Sequence, residues 1–176
     1  MEKELLKLFE MPTIKVKVNP YWLLKHNLKD NFFNAHIMVR MLAIDCYYNK
    51  NDMGWTWYNE MQEKRVADNK LIPKHMAYHK EEFKELIKSI EENGYNDECP
   101  IILNKDLFIV DGAHRLATAL YFNLKEVTIE INQKSYSAES RDYSFEWFKN
   151  HNMAFVEEPA MKKYYEICES YGDNNE

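Results

Sequence analysis

The chain has 176 residues, 45% of them hydrophobic and 30% charged, which suits one well-packed domain and is too short for two ordinary ones. A formal charge of -6 provides no general attraction to nucleic acid or to anionic membranes, so neither is the expected partner. Cys46, Cys99 and Cys168 are far apart with no CxxC spacing, and the charged start Met1-Glu2-Lys3-Glu4 lacks an apolar signal core, so a reduced, cytoplasmic protein without disulfides, zinc or a membrane span is expected.

Along the chain, Ile14, Val16 and Val18 alternate with Lys15 and Lys17, the period-two signature of a half-buried strand with solvated lysines. Pro20 ends it. Residues 21–69 are rich in aromatics, Met and Asn, with a helix expected from Ala35 to Tyr48 and a loop from Asn49 to Gly54; the stretch reads as a helical insertion. Glu81 to Glu92 forms an amphipathic helix, because Phe83, Leu86, Ile87 and Ile90 fall on one face, and Asn93-Gly94 stops it. Pro100 to Leu103 and Leu107 to Val110 are two short strands around a hairpin turn at Asn104-Lys105-Asp106. A helix with Leu116, Ala119 and Leu120 inward ends near Asn123, and a strand runs from Val127 to Ile131. Tyr143, Phe145, Trp147 and Phe148 form an aromatic cluster, and a last helix opens at Glu157-Glu158-Pro159. The order predicts one α+β domain over residues 1–176, a small mixed sheet with helices, an insertion at 21–69 and an aromatic and helical extension at 142–176.

The chemistry concentrates at Asp111-Gly112-Ala113-His114-Arg115, where a strand hands over to a helix. Glycine lets the backbone turn sharply and leaves room for a ligand, and the first N–H groups of the helix point at it. Such a junction suits phosphate, so Gly112, Ala113, His114 and Arg115 are the expected nucleotide-phosphate contacts, with Arg115 as a bidentate fork. Asp111 suits three roles: holding Mg²⁺ against phosphates, accepting the proton of an attacking hydroxyl, or capping the helix. Phosphoryl transfer needs mostly positioning plus cations and N–H groups around the moving charge, which these residues supply.

The segment from Ile87 to Ile131, IKSIEENGYNDECPIILNKDLFIVDGAHRLATALYFNLKEVTIEI, resembles the ParB/sulfiredoxin superfamily. That pattern is a helix ending in SIxxxG, a Pro-Ile strand, a second strand, and a glycine turn leading into an alanine-rich helix. Sulfiredoxins carry a cysteine where this chain has Ala113, and ParB partition proteins carry Glu-Arg where it has Ala113-His114. Asp-Gly-x-His-Arg is most similar to the free serine kinase branch. That resemblance implies a ParB/sulfiredoxin-like fold and an ATP- or ADP-dependent, Mg²⁺-assisted kinase acting on the hydroxyl of an amino acid, polyol or sugar. It implies catalytic roles for Asp111 and His114, and a catalytic glutamate early in the long helix, for which Glu81 and Glu82 are the nearest acids. The alternative is a non-catalytic nucleotide-binding or ParB-like, nucleic-acid-associated regulator. A metal-dependent nuclease lacks a paired-carboxylate cluster.

His75 and His79, four apart, suit one helical face as a metal pair or as substrate-side residues. Trp55, Trp57 and Tyr58 suit core packing, with a base-stacking platform as the functional alternative.

Overall fold

A computed structural model describes residues 13–27, 34–68, 80–132 and 143–172. The chain folds as α+β. Strand β1 (Ile14–Val18) leads into helices α1 (Pro20–Asn27), α2 (His36–Tyr47), α3 (Gly54–Asp68) and α4 (Lys80–Asn93). Then come β2 (Ile101–Asn104), β3 (Ile109–Asp111), α5 (Ala113–Tyr121) and β4 (Val127–Asn132), followed by α6 (Phe145–Asn150) and α7 (Glu157–Ser170). The His75/His79 pair lies outside the described residues. No described helix is long and apolar enough to cross a membrane.

The four strands form one mixed sheet in the order β1-β4-β2-β3. β4 is antiparallel to β1 and parallel to β2, with Ile101 opposite Ile129, while β2 and β3 form an antiparallel hairpin. A parallel pair needs a crossover. The crossover from β2 to β4 runs through β3 and α5, and it brings Leu116, Ala117, Ala119 and Leu120 of α5 into one core with Leu103, Val127 and Ile129 of the sheet.

Helix α2, HIMVRMLAIDCY, is apolar nearly all round and buried from His36 to Asp45, the pattern of a helix enclosed by others. Ile37, Met38, Met41 and Leu42 join the core with the sheet, while Val39, Ala43 and Ile44 join a second core with Trp55, Tyr58, Phe83 and Phe148. The helices of residues 20–68 are thus part of the central packing. Trp55 and Tyr58 are buried there, and Trp57 is half-buried.

Three local expectations change. Ile14 and Val16 are exposed at 43% and 41%, because β1 lies at the edge of the sheet formed by the described strands, with β4 as its neighbour. Lys15 and Lys17 are each ion-paired, with Glu130 at 3.4 Å and Asp97 at 2.8 Å, on that same strand. The second hairpin strand starts at Ile109 and runs on to Asp111, since Leu107 takes a φ of 65° that strand geometry does not allow.

Candidate active site at the start of helix α5

Gly112 joins β3 to α5 with φ 98° and ψ 15°, a left-handed conformation that costs a residue with a Cβ. A Cβ there would also lie 3.0 Å from the Ile101 Cα and 3.1 Å from the Arg115 guanidinium. The left-handed backbone and the close approach both favour glycine here. Gly112, and not Asp111, occupies the N-cap position, so the N-cap residue has no side chain with which to cap the helix. The helix is first closed by the Leu116 N–H on the Gly112 carbonyl at 2.9 Å, so the amides of its first turn project from its N-terminal end.

Arg115 turns back over this glycine. Its Nη2 donates to the Pro100 carbonyl at 3.0 Å and to Asp111 Oδ2 at 2.9 Å, while its buried Nε has no hydrogen-bond partner. The fork expected on phosphate thus clasps the entry of β2 and the end of β3. Asp111 is 69% exposed and pairs with that arginine. Ala113 is half-buried and packs against the sheet core.

His114 points the other way, into the helical half of the protein. Its Nε2 lies 2.9 Å from the hydroxyl of buried Tyr58, and its ring stands edge-on to Phe83, with centroids 4.7 Å apart. Burial holds its pKa well below the usual histidine value, and Arg40, Arg65 and Arg115 push in the same direction. His114 is therefore neutral at pH 7, a hydrogen-bonding group and not a cation.

Glu81 stands in the first turn of α4, solvent-facing and paired with Lys84 at 2.8 Å. The same helix sends Phe83 to His114. Among the described residues, no group of three or more His, Cys, Asp or Glu side chains is arranged to hold a metal ion. Mg²⁺ commonly needs only one or two carboxylates when phosphate oxygens and water complete its shell, and Asp111 meets that lower requirement.

Sequence reasoning missed the residues behind His114. Arg40 of α2 is fully buried and Arg65 of α3 lies close by, with Gln62, His36 and Tyr143 between and around them. The available signal was one arginine inside the apolar run Ile37-Met38-Val39-Arg40-Met41-Leu42. Compared with known proteins, the chain matches no family model, no curated protein and no solved structure.

Proposed function

We propose that the chain is a nucleotide-dependent phosphotransferase of ParB/sulfiredoxin type, acting on the hydroxyl of a small metabolite such as an amino acid, polyol or sugar. The observation that carries this reading is the Gly112 turn: a left-handed glycine pressed against Ile101, opening a helix whose first-turn amides face outward. Phosphate oxygens of ATP or ADP are received by the amides of Ala113 to Arg115, and the neutral His114 ring, held by Tyr58 and Phe83, positions the first turn of the helix behind them. Arg115 acts by holding the turn in shape and by its charge beside it.

Asp111 is the residue that would hold Mg²⁺, and the ion would supply charge neutralisation at the phosphates. Asp111 at the mouth of the turn otherwise takes the proton of the attacking hydroxyl as the new phosphorus–oxygen bond forms and the bond to the nucleotide's leaving oxygen breaks. Glu81, exposed on α4, is the second candidate for that proton.

A non-catalytic nucleotide-binding regulator is the second reading. It is favoured by one observation, that the Asp111 carboxylate is engaged by Arg115. The deciding experiment is thermal unfolding with ATP, ADP and CTP, with and without Mg²⁺, followed by phosphate transfer to amino acids, polyols and sugars. A ligand that binds only the native state raises its stability. Stabilisation with transfer supports the kinase, stabilisation without transfer supports the regulator, and no response to any nucleotide removes both.

A further inference from the structure

Two guanidinium groups, one buried and one half-buried, meet without a carboxylate partner among the described residues. Arg40 is 1% exposed. Its Nη1 donates to the His36 carbonyl at 2.9 Å and its Nη2 reaches Gln62 Oε1 at 3.4 Å. Arg65 Nη1 donates to the same Gln62 oxygen at 2.7 Å, and its guanidinium lies 4.3 Å over the Tyr143 ring. Among the described residues the partners are thus a carbonyl, a shared carboxamide oxygen and an aromatic face, and none is a carboxylate. Three buried nitrogens here, Arg40 Nε, Arg65 Nε and His36 Nδ1, have no hydrogen-bond partner.

Burying cations this way is costly, and native proteins ordinarily pair them. This protein does so elsewhere. Lys163, 9% exposed, is held by Asp45 at 2.6 Å and Glu166 at 2.5 Å at the far end of α5. Among the described residues, Arg40 and Arg65 thus differ from Lys163 in having no carboxylate counter-charge.

We propose that Arg40, Arg65 and His36 form a buried receptor for one divalent oxyanion, a phosphate or a phosphomonoester, with Gln62 Oε1 standing where a ligand oxygen sits. The charge count selects the class: two guanidiniums match a dianion, while a single carboxylate leaves one cation unbalanced. Arg40's pKa is pushed down to about 9 by burial and by Arg65, so its guanidinium remains charged at pH 7. His36 is held neutral by burial, with Arg40, Arg65 and His114 adding to the effect, and it supplies a hydrogen bond in place of charge. The inference touches the proposed phosphate turn through His114 and through Gln62, which donates to the Tyr58 hydroxyl at 3.4 Å, and it does not require phosphoryl transfer.

The test is calorimetric titration and thermal unfolding of the full chain with inorganic phosphate, sulfate, glycerol phosphate and acetate at constant ionic strength. Phosphate and sulfate should bind saturably and raise Tm, and acetate should not. Arg65→Gln should weaken phosphate by roughly ten- to a hundredfold, the scale of a lost charge-assisted hydrogen bond. Arg40→Met should be more heat-stable than wild type without ligand and unresponsive to phosphate; should it fail to fold, Arg65→Gln at its half-buried position still decides. Glycerol phosphate competing with phosphate identifies an esterified ligand, and its exclusion identifies the free ion. Wild type without a phosphate response, undiminished binding in Arg65→Gln, or equal binding of acetate overturns the site. Gly112→Ala separates the two readings. Loss of nucleotide with phosphate binding intact belongs to the turn, whereas nucleotide binding without any phosphate response sinks this inference alone.

Discussion

The Tyr58 hydroxyl lies 2.9 Å from His114 Nε2, a link from the middle of α3 to the first turn of α5 between residues 56 positions apart in the chain. It sets the direction of the histidine ring beside the glycine turn. Removing only that hydroxyl, by Tyr58→Phe, should cost about 1 kcal/mol of stability, the net worth of one hydrogen bond. If His114 positions the first turn of the helix, the freed ring should also weaken nucleotide binding. Urea unfolding and nucleotide titration of the variant check both, and an unchanged nucleotide affinity would confine Tyr58 to packing.

Stability should fall as the solution is acidified through the histidine range. The folded protein keeps His36 and His114 neutral, with pKa values well below the ordinary one. The unfolded chain takes up protons near about pH 6.5. The contribution is thus complete above that pH and lost below it, at up to about 1.4 kcal/mol per pH unit for each imidazole. Urea titrations between about pH 5 and 7, above the range where ordinary carboxylates titrate, measure the slope. His36→Gln should flatten it, and a wild-type profile without slope would contradict the burial of both rings.

Asp111→Asn should leave stability almost untouched. The ion pair it breaks is 69% exposed on the aspartate side, and such pairs contribute about 0–1 kcal/mol. Phosphate transfer should nevertheless fall by about a hundredfold or more if Asp111 takes the proton or holds Mg²⁺. Normal turnover with normal folding would strike Asp111 from the catalytic residues.

Arg115→Lys should destabilise where Asp111→Asn does not. Both bonds, to Pro100 and to Asp111, come from the one nitrogen Nη2, which the rigid guanidinium places there and the ammonium on lysine's shorter, flexible stem does not, and we expect a loss of about 1–2 kcal/mol. Thermal and urea unfolding measure it. Unchanged stability with weakened nucleotide binding would return Arg115 to the role of a direct phosphate ligand.

Gly112→Ala should cost about 1–3 kcal/mol, from the left-handed backbone and the approach to Ile101 together. Circular dichroism verifies folding before nucleotide binding is compared. Wild-type stability would show that the turn relaxes easily and that the glycine is not required by sterics.

Most elements were legible because they depend on short-range pattern. The 3.6-residue spacing of Phe83, Ile87 and Ile90 marks a helix whose buried face is those residues, and the Gly112 junction is recognisable from a strand run followed by a helical one. Conformation at Gly94, with φ 76°, likewise follows from a glycine after a helix. What lies opposite what was not legible. The exposure of Ile14 and Val16 depends on β1 being an edge, a property of strand order. Arg115 clasps a backbone carbonyl fifteen residues away, and a carbonyl has no sequence signature. The convergence of Arg40, Gln62, Arg65 and His114 requires α2 to be enclosed by its neighbours, so that an arginine in its middle cannot reach water. Periodicity specifies which face of a helix is apolar; only the packing of helices from distant parts of the chain decides which polar groups are sealed in together, because that depends on tertiary contact and not on spacing.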